Sequence, residues 1–532
     1  MERTIARLAA QPGCRAMSTA RGWMPEVRPR SAAMQCGRFV ATIPATVAAP
    51  APASGPSALL PSVGNPPPLA GRTSRPLAGN TSGGIDCAGG GAAVRGGLRR
   101  QRHLLGEQVL RWLLAAVCCG MCTDLRGSEP AAEGQAFALH DGQRIVFFGD
   151  SITQQGLYVT YVHAYLLTRF PAWDIEIINH GISSETLSGT SEPDHDPPRP
   201  HALVRFTRDV AAWQPDVVVA CFGMNDGNYH PQDEERFARF RQGVRRLWAL
   251  VQTETHARLV LLTPPPFDPY RRTASDPRAR TFGYKFPAVD YDQVLAAYSR
   301  WLVGLADEPD APLIVDVHSA IHHVLAERRK GEVSFTVSPD AVHPNATGHW
   351  LMAQELLLAW RAPAQAGEVA IDVAAGRVTC GDAMLVACHP ARVEFTWRAP
   401  LPLPHDADWD EQTLEIAQTQ RLLNRYLLRI TGLAEGRYRL SAAGRLVGVF
   451  DHQQLHAGLE LGRHQEFPTV AVAHDVLARL RDLHTRRYAA WRQSLEEGSN
   501  GQQAAAKSEE LAAIRELCRP QPLALRLERV EE

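Results

Sequence analysis

Between residues 140 and 360, short apolar runs alternate with longer amphipathic stretches. Five runs rich in Val, Ile and Leu lie at 144–148, 174–179, 216–222, 258–263 and 312–317. Near-continuous apolar runs of this length are typical of strands buried on both faces of a parallel sheet. Residues 237–253 and 289–305 carry apolar positions at a helical period and are long enough to connect parallel strands. The pattern predicts an α/β domain, residues 136–360, with a five-stranded parallel sheet.

The pattern changes beyond residue 360. Residues 361–368 are typical of a linker, and strand-like runs follow at 369–373, 392–397, 425–431 and 438–450. The last two runs are expected to be joined at Gly436, with a turn near Gly444, and the Gly432–Gly436 segment with the alternation after it suggests an antiparallel hairpin. Amphipathic stretches at 470–497 and 507–518 predict two helices. We expect residues 361–532 to form a smaller α+β region with a scaffold role, which we favour over carbohydrate binding or oligomerisation.

Residues 1–100 differ from the rest in composition and charge. They are rich in Ala, Gly, Pro and Ser, and their 12 Arg, no Lys and three acidic residues give a net charge of +9. Such a composition cannot bury enough apolar surface to offset chain entropy. Two interpretations stay open, a disordered low-complexity segment and a misassigned start of translation. The remainder is mildly acidic without a basic stripe, which argues against a nucleic-acid partner.

Residues 101–135 follow as a signal segment and linker. A basic stretch at 99–103 precedes an apolar run at 109–120 and a polar run to Gln135, which is the layout of a secretory signal peptide. The apolar run is too short for a stable membrane span, and Arg111 interrupts it. We therefore expect a secreted or periplasmic protein with a signal-like segment at about 99–122. A short buried helix is the alternative.

The first apolar run ends in Gly149-Asp150-Ser151, directly before a helical pattern. A serine at such a strand-to-helix turn is held at the edge of the sheet, where its hydroxyl can act as a nucleophile. The alternative for Ser151 alone is an ordinary helix N-cap. Three later segments favour the nucleophile.

Those segments supply oxyanion donors and a base. The second strand ends at Gly181, where a backbone N–H can approach a ligand oxygen without a Cβ in the way, and the third ends near Asn225, whose amide is a donor. Asp340 lies three residues before His343, a spacing that lets the carboxylate orient the imidazole. His343 would then take the proton from Ser151 Oγ as general base. We predict Ser151, Gly181 and Asn225 as the oxyanion hole.

Four short blocks together resemble those of the SGNH (GDSL-type) hydrolases, in order and approximate spacing. They are Gly149-Asp-Ser151, Gly181, Gly223-x-Asn225-Asp226 and Asp340-x-x-His343, with Ile152 where the family name implies Leu. The resemblance covers about residues 143–360. It implies a flavodoxin-like three-layer α/β/α sandwich and a serine esterase with a Ser151–His343–Asp340 catalytic triad. The C-terminal region resembles that of some secreted bacterial members.

Four residues are predicted to support the site, and two histidines are considered as metal ligands. Gly149, Asp150, Gly223 and Asp226 are predicted to organise their turns. His318 and His322 have the spacing of two ligands on one helix face, but no Glu follows His318 as a zinc protease requires. An ordinary helix face is favoured there. The predicted site is metal-free and needs no cofactor.

Two long loops are expected to overhang the cleft. Residues 183–201 are polar and Pro-rich, and residues 264–287 combine five aromatic with five basic residues. Aromatic faces with cations suit sugar rings or an anionic polymer, although the aromatics can equally pin the loop to the body. His195 and His201 are candidates to line the cleft. Cys380 and Cys388 are open between a disulfide and two free thiols.

The sequence therefore predicts a secreted esterase that hydrolyses small acyl esters, acetyl esters above all, on carbohydrate. The substrate part rests on analogy with the family. A lipid-directed esterase or lysophospholipase, an acyltransferase, and a catalytically inactive glycan-binding protein are the alternatives. The acyl group, the polymer that carries it and the oligomeric state are left open by the sequence.

Overall fold

The computed structural model describes residues 136–271, 281–499 and 509–530. The segments 1–100 and 101–135, including the signal-like stretch at 99–122, lie outside the described residues.

The described residues contain fourteen β-strands and twelve α-helices. The strands are β1 (Arg144–Gly149), β2 (Glu176–Gly181), β3 (Val217–Cys221), β4 (Arg258–Leu262), β5 (Leu313–Val315), β6 (Gln365–Asp372), β7 (Arg377–Val378), β8 (Ala383–His389), β9 (Arg392–Ala399), β10 (Arg425–Thr431), β11 (Arg437–Ala442), β12 (Arg445–Asp451), β13 (Leu459–Glu460) and β14 (Gln521–Arg529). The helices are α1 (Ser151–Gln155), α2 (Leu157–Arg169), α3 (Phe206–Asp209), α4 (Glu234–Glu254), α5 (Tyr291–Gly304), α6 (Val317–Gly331), α7 (Ala346–Ala359), α8 (Glu411–Ile416), α9 (Thr419–Leu423), α10 (His452–Ala457), α11 (Pro468–Glu496) and α12 (Glu509–Leu517). Short 3-10 helices lie at Ala202–Arg205, Ala211–Trp213, Leu305–Asp307 and Leu461–Arg463.

The first five strands form one parallel sheet in the order β2-β1-β3-β4-β5. Every residue of β3 is buried, as expected for a central strand covered on both faces. With helices on both faces, the domain is the three-layer α/β/α sandwich that the sequence predicted. The strand order reverses beside β1, so the carboxyl ends of β1, β2 and β3 border the crevice in which such sheets bind ligands.

The C-terminal region contains two further sheets around a second apolar core. One is four-stranded, in the order β13-β10-β6-β7, and the other is five-stranded and antiparallel, in the order β12-β11-β14-β9-β8. Their buried faces share a cluster that includes Trp397, Tyr426 and Tyr438. Runs 425–431 and 438–450 do not pair with each other as a hairpin, whereas the predicted turn near Gly444 is present. β10 pairs in parallel with β6, while β11 pairs with β12 across the turn at Gly444.

The boundary between the two regions is tightly packed. β6 begins at Gln365, so the second half of the predicted linker at 361–368 is strand. Helix α11 lies against α2 and adds apolar side chains to the core of the sandwich, among them Val476, Leu480 and Leu483. The Arg169 guanidinium of α2 donates to Leu423 O at 2.8 Å. The C-terminal region therefore continues the core of the sandwich.

The four cysteines of the described residues are free thiols. Cys221 lies buried in β3, and Cys518 is also buried. Cys380 and Cys388 are partly buried and are not joined by a disulfide in this structure.

Candidate active site

Ser151 opens helix α1 directly after β1. Asp150 is the N-cap of this helix, and its Oδ1 accepts a hydrogen bond from Ile152 N at 3.0 Å. Gly149 makes the turn possible, because a Cβ there would lie 2.0 Å from Thr153 Oγ1 and 2.7 Å from Cys221 O. The turn thus folds back against β3 and presents the partly exposed Ser151 at the edge of the sheet.

His343 and Asp340 complete a hydrogen-bonded chain with Ser151. His343 Nε2 lies 2.8 Å from Ser151 Oγ, and His343 Nδ1 lies 2.7 Å from Asp340 Oδ2. Asp340 Oδ1 also accepts from the backbone N–H of His343 at 2.7 Å. Burial opposes ionisation of Asp340, but the hydrogen bonds from His343 outweigh it and hold the pKa of this carboxyl well below its usual range. Asp340 is therefore ionised, and it fixes both the orientation of the His343 ring and the conformation of the turn that carries His343.

The turn that carries His343 is held in place by a hydrogen bond from another loop, the one after β4. Ala341 adopts a left-handed conformation with φ 77° and is fully buried. Its carbonyl accepts from Asp268 N at 2.8 Å, and Asp268 lies in the loop after β4. Asn345 then caps α7 through its side chain. This bracing holds His343 in place although it follows the last strand of the sheet by a whole helix.

Asn225 lies in the turn after β3, close to the Ser151 turn. Its Nδ2 donates to Glu185 O at 3.1 Å and lies 3.4 Å from Asp150 Oδ2, the longer and weaker of the two contacts. Gly223 permits this turn with φ 119°. The amide nitrogen of Asn225 therefore faces the residue next to Ser151, as a donor at this edge must.

Two residues that the sequence analysis missed orient Asn225. Arg199 Nη1 donates to Asn225 Oδ1 at 3.0 Å, and the Tyr229 hydroxyl donates to the same oxygen at 3.2 Å. Arg199 is itself held by Glu192 through two bonds of 2.5 and 2.7 Å, and both side chains are almost fully buried. Since the Arg199 guanidinium has donors and no acceptor, it fixes the amide oxygen of Asn225 toward itself and the amide nitrogen toward the Ser151 turn. No motif marks these residues, because the contact arises from the folding of loop 183–201.

Gly181 is placed beside the nucleophile, but its amide has another partner. Gly181 N donates to Asn179 Oδ1 at 3.0 Å, so the geometry does not support the expectation that this N–H faces a substrate oxygen. The structure requires glycine at position 181 because there is no room for a side chain there. A Cβ there would lie 2.1 Å from Gln154 N, in the backbone of α1. Further along the same loop, Ser184 has φ 66°, and its N–H has no hydrogen-bond partner within the described residues.

Asp150 and Asp226 are buried carboxyls behind the site. Burial raises the pKa of Asp150 to about 7, although the bond from Ile152 N and the charge of His343 act in the opposite direction. Burial also raises the pKa of Asp226 to about 6, and its Oδ1 accepts from Ser188 N at 2.7 Å. Both residues hold turns together by hydrogen bonds, in line with the predicted organising role.

The cleft in front of Ser151 has a volume of about 840 Å³ and is lined mainly by side chains that form hydrogen bonds. One wall comes from the sandwich and includes Gln154, Asn179 and Ser183. The opposite wall comes from α11, with Arg481, His484, Thr485 and Tyr488. The Tyr488 hydroxyl donates to Gly181 O at 2.8 Å, which joins the two walls. The expected scaffold region thus also forms part of the site.

Apart from Ser183, the described side chains of the two long loops, His195 and His201 among them, do not line the cleft at Ser151. His195 and His201 contact loop carbonyls, those of Pro197 and Leu187. In loop 264–287, of which 272–280 lie outside the described residues, Phe267 and Tyr284 pack on Tyr229. None of these side chains lines the cleft at Ser151. For Phe267 and Tyr284 the structure supports the alternative that the aromatics pin the loop to the body.

The close approach at Gly181 leads to a test that separates space from hydrogen bonding. Gly181→Ala keeps the backbone N–H but forces α1 away from β2. We expect the free energy of unfolding to fall by roughly 1–3 kcal/mol and Ser151 to react more slowly with a fluorophosphonate probe. Urea denaturation and the labelling rate measure the two effects. Gly304→Ala is the control, since nothing lies within 4 Å of a Cβ there. An unaltered Gly181→Ala protein would contradict the steric role.

The raised pKa of Asp150 predicts a pH-dependent stability. Between about pH 4 and pH 7 the folded protein holds a proton that the unfolded chain releases, so this group lowers the free energy of unfolding as pH rises, by at most about 1.4 kcal/mol per pH unit. Asp150→Asn keeps a capping oxygen and removes the titration. We expect the variant to gain stability relative to the wild type across this window and the difference to level off above pH 7.

Urea denaturation at each pH from 4 to 8 measures this difference. Asp233→Asn is the matched control, because Asp233 also caps a helix but its side chain is 42% exposed. The control should change far less across the window. A constant difference between Asp150→Asn and the wild type would show that burial does not hold a proton on Asp150.

Comparison with known proteins agrees with this geometry. Residues 147–351 match the GDSL-like lipase/acylhydrolase family. An acetylxylan esterase from Geobacillus stearothermophilus is 27% identical over 235 residues, which cover 41% of this chain and 93% of that protein. Among solved structures, a gut microbial diltiazem-metabolizing enzyme shares the fold with a TM-score of 0.58 at 18% identity. That likeness covers 74% of this chain and 99% of the other, so it takes in part of the C-terminal region.

The family match spans the turns that carry Ser151, Asn225 and His343, and it coincides with the parallel sheet that positions them. The domain at residues 147–351 is therefore an ester hydrolase domain of the SGNH, or GDSL-type, family.

Proposed function

We propose that this esterase removes small acyl groups, acetyl above all, from carbohydrate esters through an acyl-serine intermediate. The observation that carries the proposal is the continuous hydrogen-bonded chain from Ser151 Oγ through His343 to Asp340, with bonds of 2.8 and 2.7 Å. Such a chain lets a serine hydroxyl act as a nucleophile at neutral pH.

In this mechanism Ser151 Oγ attacks the ester carbonyl while His343 Nε2 takes its proton. The imidazolium is stabilised by Asp340, which is ionised and holds Nδ1–H. His343 then returns the proton to the alcohol oxygen as the carbon–oxygen bond breaks. Water activated by the same imidazole hydrolyses the acyl-serine and restores Ser151.

The tetrahedral intermediate needs donors for its oxyanion. The Ser151 backbone N–H is one of the first in α1, and such groups have no intrahelical partner. Asn225 Nδ2 is the second donor, with Arg199 and Tyr229 fixing its direction. Its weak 3.4 Å contact with Asp150 is the one that a substrate oxygen would replace. Gly181 serves this hole by letting α1 approach β2.

The chemistry of the cleft supports the carbohydrate substrate. Among its lining residues Leu157 is the one large aliphatic side chain, whereas amide, hydroxyl, imidazole and guanidinium groups line both walls. A site for long acyl chains requires extended apolar walls, while sugar hydroxyls require hydrogen-bonding groups. The similarity to an acetylxylan esterase supports the acetyl group. An open cleft of about 840 Å³ has room for more than one sugar unit.

A secreted or periplasmic location is part of the proposal. It is supported by the signal-like stretch at about 99–122, which lies outside the described residues. Within the described residues, no helix combines the length and the apolar character that crossing a membrane requires.

The first test compares p-nitrophenyl acetate and octanoate hydrolysis by the full chain and its variants. We expect Ser151→Ala and His343→Ala to lose at least about 10⁴-fold in kcat, and Asn225→Ala to lose about 10²–10³-fold as an oxyanion donor is removed. Ser183→Ala, which removes a hydroxyl from the same cleft, should keep most of the activity. The wild type should prefer acetate.

Other outcomes of this test point elsewhere. A preference for octanoate would favour a lipid-directed esterase, and transfer of acetyl to an added sugar in place of water would favour an acyltransferase. If the wild type turned over no more substrate than Ser151→Ala, the chain would be an inactive relative, and glycan binding would be examined first.

The α11 wall leads to a separate prediction about large substrates. Thr485→Trp places an indole in the cleft opposite Ser151. We expect KM for acetylated xylo-oligosaccharides to rise about 10-fold or more, while hydrolysis of p-nitrophenyl acetate stays close to that of the wild type. Ala489→Trp is the control, because this exposed residue of α11 does not line the cleft. Equal KM values for the two variants would show that sugars do not occupy this cleft.

A further inference from the structure

Outside the cleft, two helices bring together a group of metal-ligand side chains. His318 and His322 lie four residues apart on α6 and share one face of it. Asp292, from the first turn of α5, faces them, and the three potential ligand atoms lie within 4.8 Å of one another. His322 Nε2 lies 2.7 Å from Asp292 Oδ2, and His318 Nε2 lies 3.5 Å from Asp292 Oδ1.

The surroundings of His318 set this group apart from an ordinary helix face. The His318 side chain is 5% exposed, and its Nε2 has no hydrogen-bond partner within the described residues. A buried ring nitrogen that lies 3.5 Å from a carboxylate oxygen, too far for a good hydrogen bond, is costly unless something binds both groups. His322 is 44% exposed, which leaves a path from solvent to the group.

We propose that Asp292, His318 and His322 form a binding site for Zn²⁺ or a divalent metal ion of similar ligand preference. Two imidazoles and a carboxylate are typical zinc ligands, and a fourth position remains for water. Tetrahedral bonds of about 2.0–2.1 Å place neighbouring ligand atoms about 3.3 Å apart. The three potential ligand atoms lie within 4.8 Å of one another, and the half-exposed His322, 2.7 Å from Asp292 Oδ2, has room to rotate toward this spacing.

The hydrogen bonds around the site match those of a built metal centre. Asp292 Oδ1 accepts from Phe267 N at 2.8 Å, which leaves Oδ2 to bind the ion. Such outer contacts commonly orient metal ligands. The sequence showed only the two histidines, because the carboxylate comes from a helix about 30 residues away in the chain.

The bound ion would stabilise the active-site turn from a distance. It would join α5 to α6 and fix Phe267, whose neighbour Asp268 donates to Ala341 O beside His343. Asp268 also binds Arg329 of α6 at 2.6 Å. Because none of the three ligands lines the cleft at Ser151, the ion would take no part in the Ser151 chemistry.

Zinc binding to the full, tag-free chain tests the proposal. Six cysteines lie in the first 122 residues, so thiols are alkylated and metal is removed with a chelator before titration. Calorimetry with Zn²⁺ should show one saturable site whose affinity falls at least about 10-fold in His322→Ala and in Asp292→Asn. His323→Ala is the matched control, because His323 is the exposed neighbour on the same helix and should leave the site intact.

Two further readouts identify the ligands. Saturating Zn²⁺ should raise Tm by at least about 2 °C in the wild type and in His323→Ala, and should leave Tm unchanged in His322→Ala. Co²⁺ should give the visible absorption of a tetrahedral site in the first two proteins alone. If wild type and His322→Ala bind Zn²⁺ alike, or neither binds, the group is an ion pair between His322 and Asp292. Neither readout depends on ester hydrolysis.

Discussion

The close approach of helix α1 to the ends of β2 and β3 is the constraint on which the site depends. At Gly149 and Gly181 a single added carbon would collide with the α1 backbone, Thr153 or the β3 backbone. Only with these two positions open does α1 begin at the sheet edge and bring Ser151 within 2.8 Å of His343. The parallel sheet places the strand ends at one common edge, and the two glycines set how closely α1 approaches that edge.

Around this contact, the loop after β2 is held by charges that are buried in pairs. Arg199 with Glu192, and Arg205 with Glu185, lie almost wholly out of water. A buried pair of this kind adds little net stability, because desolvation offsets its attraction. Its value here is geometric, since Arg199 fixes Asn225 and Arg205 fixes the carbonyl of His180 beside Gly181. The loop is an ordered part of the site.

The C-terminal region supplies one wall of the cleft in front of Ser151. Helix α11 adds Leu480 and its neighbours to the main core and reaches the cleft through Arg481, Thr485 and Tyr488. Because the Tyr488 hydroxyl bonds to Gly181 O, the wall and the Ser151 turn are coupled. One wall of the cleft and part of the main core therefore come from the same helix.

The sequence by itself determined the parts of this protein that local pattern controls. The period of apolar residues predicted the five strands of the sandwich and helices α4, α5 and α11. The turn residues located Ser151, Asn225 and the Asp340–His343 pair, because strand ends and a three-residue spacing are local features of the sequence. Tertiary structure alone decided that Arg199 orients Asn225, that Gly181 provides space and that α11 walls the cleft. It also decided that β10 pairs with β6 and that Asp292 faces His318. These contacts join residues tens to hundreds of positions apart, and their side chains meet only when packing brings separate elements together.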